Sequence, residues 1–215
     1  MSQITTSHVE DYIHQLLPEH SGLLKELEIY AEEHSVPIVH KEVAAFLKVT
    51  IKATKAQRIL EVGTAIAYSA ILFCHAMGED GQVTTIERNE KMIEQANRNI
   101  IRSGLEKNIR IIQDDAQEAL KFLDGQYDII FLDGAKGQYK EFFNDCIRLL
   151  KVGGILISDN ILFHGMIAND ELVQRSKRTI VNRMRDYLQY ICHHEQLETS
   201  IIPIGDGVTI SYKKK

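Results

Sequence analysis

Twice in this sequence a continuous apolar run stops at hard oxygen ligands, in IIFLDGAK (residues 129–136) and GGILISDN (residues 153–160). Strands buried on both faces read as unbroken apolar runs, and open α/β sheets place their ligands at the carboxyl ends of such strands. Each run is therefore expected to be a central strand of a parallel sheet, one ending at Asp133 and the other at Asp159 and Asn160. If the two strands are neighbours, these side chains converge. Two carboxylates and an amide oxygen suit Mg²⁺, or Mn²⁺, better than zinc or copper, which prefer nitrogen or sulfur. Lys136 would then lie beside the metal.

The rest of the pattern agrees with a doubly wound sheet. Residues 1–56 read as three helices, SHVEDYIHQLL, SGLLKELEIYAEEH and HKEVAAFLKVTIKA, with no strand signal. From residue 57 strands and helices alternate: RILEV, a helix over 68–77, QVTTIE, a helix from NEKMIEQANRNIIRSG, IRIIQ, AQEALKFL, YDIIFLD, QYKEFFNDCIRLL and GGILIS. Such alternation implies parallel crossovers with helices on both faces of the sheet. A late helix is expected over 173–193, and then GDG (residues 205–207) between ETSIIPI and VTISYKK predicts an antiparallel terminal hairpin. A dehydrogenase-type nucleotide fold would finish parallel instead.

Composition sets the outer limits. With 215 residues and 44% hydrophobic content the chain is expected to form a single domain, residues 1–56 being a helical extension and 57–215 the cofactor-binding and catalytic core. No apolar run approaches the roughly 20 residues of a membrane span, so no membrane partner is expected. The cysteines, Cys74, Cys146 and Cys192, lack metal-binding spacing, in keeping with a reducing cytoplasm. A net charge of −5 argues against nonspecific coating of nucleic acid, though a local basic patch remains compatible with it.

The cofactor side begins at EVGTAIAYS (residues 61–69), where Gly63 follows a strand and precedes a helix, a turn that lets backbone approach a ligand. The next strand ends at Glu87, the acidic position that holds a ribose diol in such sheets, and the third at Asp114, Asp115 and Ala116. Three successive strand ends with small or acidic residues point to a nucleoside pocket.

EVGTAIAYS, TIER, DDA, FLDGAK and SDN, in this order, resemble the class I S-adenosylmethionine methyltransferases of the metal-dependent catechol and caffeoyl-coenzyme A O-methyltransferase type. The resemblance covers the chain from about residue 35. TIERNEK, AKGQY, DNILFHG and IIPIGDG are similar more narrowly to bacterial tRNA 5-hydroxyuridine methyltransferases, which methylate a hydroxylated wobble uridine. This resemblance implies a Rossmann-like, seven-stranded, mostly parallel sheet with S-adenosyl-L-methionine as cofactor. It implies Asp133, Asp159 and Asn160 as metal ligands and Lys136, with Asp133, as catalytic. It further implies Glu61, Gly63, Tyr68, Ser69, Glu87, Asp115, Ala116 and Asp133 as cofactor-binding residues. Ala67 stands where the family often has glycine, which puts the methionine end of the pocket in question.

The chemistry fits the residues. A hydroxyl next to a second oxygen, as in a catechol or in 5-hydroxyuridine, can chelate one divalent ion, and Lys136 can accept its proton or stabilise its charge. A tRNA acceptor is what the resemblance implies, and Arg175, Arg178 and Arg185, which recur with Asn182 at helical spacing, are the residues whose placement permits contact with an anticodon arm. Ile180, Met184, Tyr187 and Ile191 form the apolar stripe of the same helix. The alternative acceptor is a small catechol or other phenolic metabolite. An oxidoreductase is disfavoured by the incomplete glycine motif and the hairpin, and a noncatalytic binding module by the intact acidic set. The N-terminal helices are expected to cover the site or to form a homodimer contact, because their apolar stripes need a surface to bury against.

Overall fold

A computed structural model describes residues 4–215. Helices α1 (Ser7–Leu16), α2 (Leu23–His34) and α3 (Lys41–Thr54) precede β1 (Arg58–Val62), α4 (Tyr68–Met77), β2 (Gln82–Glu87), α5 (Glu90–Ser103) and β3 (Ile109–Gln113). There follow α6 (Ala116–Phe122), β4 (Tyr127–Leu132), α7 (Tyr139–Leu149), β5 (Leu150–Ser158), α8 (Arg178–Cys192), β6 (Leu197–Ile202) and β7 (Val208–Lys213). The seven strands form one sheet in the order β3-β2-β1-β4-β5-β7-β6. β1 to β5 run parallel, while β7 pairs antiparallel with both β5 and β6. The chain direction across the sheet switches between β1 and β4, which opens a crevice at their carboxyl ends.

Two apolar layers sandwich the sheet. On one face Leu27, Val43, Leu47 and Ile51 of α2 and α3 pack with Ile71, Phe73 and Ile100 of α4 and α5. On the other Leu120, Phe142, Phe143, Met184, Tyr187 and Ile191 of α6, α7 and α8 close over Leu60, Ile130 and Leu156. The extension thus buries the apolar faces of α2 and α3 within its own chain. α1 keeps a stripe in the open, with Val9, Tyr12 and Leu16 exposed, whereas α2 and α3 each expose a single large apolar residue, Ile29 and Val49.

Two elements differ from the sequence expectation. β5 begins at Leu150, ahead of the glycines, and its pairing with β4 slips register between Tyr127 and Ile129. Gly153 at φ +82° carries this irregularity, where a side chain would be strained. The late helix starts at Arg178, five residues after 173. Asn169 caps a short turn over Asp170–Leu172 by accepting from the Glu171 amide at 2.9 Å, and Val173 and Gln174 then run extended. Arg175 accordingly sits in a separate single turn, off the face that its spacing suggested.

Candidate active site

The carboxyl ends of β4 and β5 lie side by side. Leu132 pairs with Ser158, so the next step sets Asp133 opposite Asp159, and the Asp159 amide donates to the Leu132 carbonyl at 2.9 Å. Tyr139, fully buried, bridges both strand ends: its hydroxyl lies 3.0 Å from the Leu132 carbonyl and 3.2 Å from that of Asp159. Ser158 is held by the Tyr187 hydroxyl at 2.6 Å, on the same face of the sheet, where the two tyrosine rings meet edge to face with centroids 5.5 Å apart. These two tyrosines fix the pitch of the acidic pair. Neither was singled out for this role from sequence, because it depends on which strands become neighbours.

Asp159 is buried, and its Oδ1 accepts from the Asn160 amide at 2.6 Å. Its Oδ2 has no hydrogen-bond partner. A buried carboxylate oxygen without a donor is costly unless a proton or a cation occupies its lone pairs. Asn160 adopts φ +56°, a left-handed conformation asparagine tolerates better than most residues and one that turns the chain at once after the strand. Burial raises the carboxyls of Asp133 and Asp159, and Asp133 pushes Asp159 further, while Lys136 pulls both down. Two raised carboxyls, an orphaned oxygen and an adjacent amide form an oxygen donor set that fits a hard divalent cation.

On the other side of the crevice, the loop after β1 meets the loop after β4 backbone to backbone. A Cβ on Gly63, at φ +105°, would stand 2.9 Å from the Gly134 amide nitrogen, and one on Gly134 would be 3.0 Å from the Gly63 Cα. Gly63, Glu87, Arg88, Asp115, Ala116 and Gly134 line the cleft beside this contact. Gly134, Ala135 and Arg88 are lining residues that sequence reasoning missed. Glu87 is braced by backbone donors, with Ala65 N at 3.1 Å from Oε2 and Arg88 N and Asn89 N at 3.0 and 2.9 Å from Oε1. Asp115 caps α6 through the Gln117 amide at 3.0 Å and meets Arg88 at 3.2 Å. A narrow cradle of bare backbone flanked by fixed carboxylates suits a nucleoside with a polar tail.

Three residues of the expected cofactor set are tied into the loop by buried hydrogen bonds. Glu61 is fully enclosed, accepting from the Ser69 hydroxyl and, at 2.6 Å, from Thr85 Oγ1. Burial raises its carboxyl to about 7. Glu61 and Ser69 thus brace the loop from its buried side. Tyr68, also buried, donates to Glu28 at 2.7 Å and so ties the loop to α2. Ala67 is fully buried at φ +66°, which explains why glycine suits that position.

The basic set divides. Arg178, Asn182 and Arg185 share a shallow cavity with Asp170 and Val173. Arg185, however, is spent on the loop after β5: Nε donates to the Ile167 carbonyl at 2.9 Å, one terminal nitrogen to Met166 at 3.1 Å, and the other meets Asp170 at 2.8 Å. Arg185 thereby anchors the loop after β5. Arg175 and Arg178 are exposed. Arg183 donates to the Gly137 carbonyl at 3.3 Å, next to Lys136. Val181 and Leu188 are buried with Met184, Tyr187 and Ile191, whereas Ile180 is half-buried and faces Gly137.

A doubly wound sheet closed by an antiparallel hairpin, with a nucleoside cradle beside acidic strand ends, is the arrangement of class I methyltransferases. The O-methyltransferase family model matches residues 15–214. A caffeoyl-CoA O-methyltransferase of Populus kitakamiensis is 32% identical over 183 residues, 82% of this chain and 77% of the relative. Tapetum-specific methyltransferase 1 of Arabidopsis thaliana is 30% identical over 210 residues, 90% and 87% of the two chains. Among solved structures, a Staphylococcus aureus protein provisionally described as a caffeoyl-CoA O-methyltransferase superposes with TM-score 0.86 at 36% identity, covering 96% of this chain and 97% of that one. TomG of Streptomyces achromogenes, solved with S-adenosylmethionine, shares the fold at TM-score 0.84 and 22% identity, over 97% and 96% of the chains. The chain belongs to the O-methyltransferase family that includes the caffeoyl-CoA O-methyltransferases.

Proposed function

We propose that this chain transfers a methyl group from S-adenosylmethionine to a hydroxyl that lies next to a second oxygen on its acceptor, with Mg²⁺ or Mn²⁺ as cofactor. The observation that carries this reading is the orphaned Asp159 oxygen beside Asp133 at adjacent strand ends. Asp133, Asp159 and Asn160 would hold the metal, which when bound supplies a positive charge that orients the paired oxygens and favours loss of the hydroxyl proton. S-adenosylmethionine supplies an electrophilic methyl group.

The remaining work falls to the chain. Glu87, already oriented by three backbone amides, accepts from the ribose hydroxyls. Asp115 and Ala116 border the base, and the Gly63 turn admits the methionine end. Ser69, Glu61 and Tyr68 keep that turn in place. Lys136, three residues beyond Asp133, receives the acceptor proton at Nζ or holds the oxyanion by charge. The oxygen then attacks the methyl carbon, and the electron pair of the breaking carbon–sulfur bond returns to sulfur.

A small catechol or phenolic acceptor is favoured by the relatives, one of which is named for caffeoyl-CoA. A second reading, methylation of 5-hydroxyuridine at the wobble position of tRNA, draws on the basic start of α8. Arg183 abuts the Lys136 turn, and Arg175, Lys177 and Arg178 stand exposed nearby in sequence, so an anionic anticodon arm could lie across the site. In either case we assign the enzyme to the cytoplasm as a homodimer, with the α1 stripe of Val9, Tyr12 and Leu16 as the contact. No helix among the described residues is long and apolar enough to cross a membrane.

Purified enzyme with Mg²⁺ and S-adenosylmethionine, offered caffeoyl-CoA, a simple catechol and tRNA carrying 5-hydroxyuridine, separates the readings. Efficient turnover of the small phenols with tRNA untouched selects the first. Methylation of tRNA only when the hydroxyl is present, weakened by Arg178→Glu with Arg183→Glu, selects the second. Turnover of every acceptor undiminished in chelator would refute the metal site.

A further inference from the structure

Glu10 of α1, His40 just before α3 and Glu42 in its first turn bring one ligand atom each to within 4.8 Å of one another, and His40 is near enough to Asp159 to act on its carboxyl by charge. Glu10 is only 8% exposed, and its Oε2 has no hydrogen-bond partner. Glu42 is almost as deeply buried at 9% and shares its Oε2 with His14 Nε2 at 2.5 Å. Lys41, between His40 and Glu42 in sequence, is occupied elsewhere, donating to the His14 carbonyl at 2.9 Å and to Glu19 at 2.5 Å. Two largely buried carboxylates therefore face each other with imidazoles as their nearest polar company. That is an expensive arrangement without a cation.

We propose that Glu10, His40 and Glu42 form a structural binding site for a borderline divalent cation of the Zn²⁺ type, which clips α1 to the start of α3. One imidazole and two carboxylates match zinc, whereas Mg²⁺ prefers an all-oxygen octahedral shell. Bonds of about 2.0–2.2 Å imply ligand atoms roughly 3.4 Å apart, so the ligand atoms, now within 4.8 Å of one another, must close by up to about 1.4 Å, within reach of rotamer adjustment. His14, bonded to Glu42, would orient that ligand from behind, as outer residues do in metal sites. The GDG turn packs against His40, since a Cβ on Gly205 would lie 3.4 Å from its Cδ2. The consequence concerns the extension: α2 and α3 are held by apolar packing, whereas α1, whose one-sided apolar stripe is exposed, would gain a second anchor.

The site uses residues other than the proposed catalytic set and is tested apart from it. The full chain carrying Asp133→Ala and Asp159→Ala, which removes the other carboxylate pair, is stripped with chelator and titrated with ZnCl₂ by calorimetry. One Zn²⁺ per chain is expected, with affinity falling at least about 10-fold on adding His40→Ala or Glu10→Gln. X-ray absorption of the loaded chain should show only nitrogen and oxygen neighbours at about 2.0–2.2 Å, with a single imidazole. Melting should rise by roughly 5–10 °C at zinc about 100-fold above its Kd. Absence of bound zinc, sulfur in the coordination shell, or binding indifferent to both substitutions would overturn the proposal. The absorption spectrum needs no further variant, so it decides even if His40→Ala fails to fold.

Discussion

Replacing Asp159 by asparagine should stabilise the chelator-treated protein while destroying its methyl transfer. Asp159 stands opposite Asp133 at the ends of neighbouring parallel strands, a separation of about 4.8 Å between backbones. Two unit charges at that distance repel by about 3.5 kcal/mol at an effective dielectric of about 20, and the attraction of Lys136 brings the net to roughly 2 kcal/mol. Asparagine keeps an oxygen for the Asn160 amide, now at 2.6 Å from Oδ1, so the loop need not move. For a chain of this size the gain corresponds to roughly 4–8 °C in Tm. The pH dependence has a definite sign. Burial raises both carboxyls, so the folded state keeps protons that the unfolded chain releases above about pH 4. Stability from this pair is therefore greatest in acid and is lost as pH rises through the raised folded values. Thermal melts from about pH 5 to about pH 8 in chelator should show the wild type losing stability that the variant retains. Mg²⁺, by binding the ionised pair, should restore the wild type most at high pH and leave the variant unmoved. A variant less stable than wild type in chelator near pH 8, or one still shifted fully by Mg²⁺, would refute the reasoning.

Lys136→Ala should lower kcat by about two to four orders of magnitude with S-adenosylmethionine affinity little changed, measured by single-turnover assays and calorimetry; an unchanged kcat would make it a bystander. Gly63→Ala places a Cβ 2.9 Å from the Gly134 nitrogen at φ +105°, and should cost about 2–4 kcal/mol in urea unfolding along with measurable cofactor binding. Ala67→Gly removes a methyl from a residue at φ +66° and should raise stability by about 1 kcal/mol, read by the same unfolding curves.

The strands and the acidic ends of β4 and β5 were legible because unbroken apolar runs have few other uses and a carboxylate ends them only at the sheet's rim. The hairpin followed from GDG, whose Asp206 also accepts from the His164 amide at 2.6 Å and so pins the loop after Asn160. What escaped depends on adjacency across the sheet. Gly134 gains its meaning only once β1 and β4 are neighbours, and Tyr139 only once β4 and β5 are. Spacing placed Arg175, Arg178 and Arg185 on one helical face. Local capping by Asn169 broke that helix, and the carbonyls of Met166 and Ile167 took Arg185 inward. Periodicity reports which side of a helix a residue occupies, not which loop folds over it.

The bare-backbone seam between Gly63 and Gly134 joins the donor half of the crevice to the acceptor half without an intervening layer of side chains. Such a joint has no compliance: a shift in one loop is passed undamped to the other, so methyl donor and acceptor clamp behave mechanically as one part. Changes of acceptor preference should therefore accumulate at the outer rim, around Phe163, His164 and the start of α8, where side chains can be exchanged without disturbing the alignment on which transfer depends.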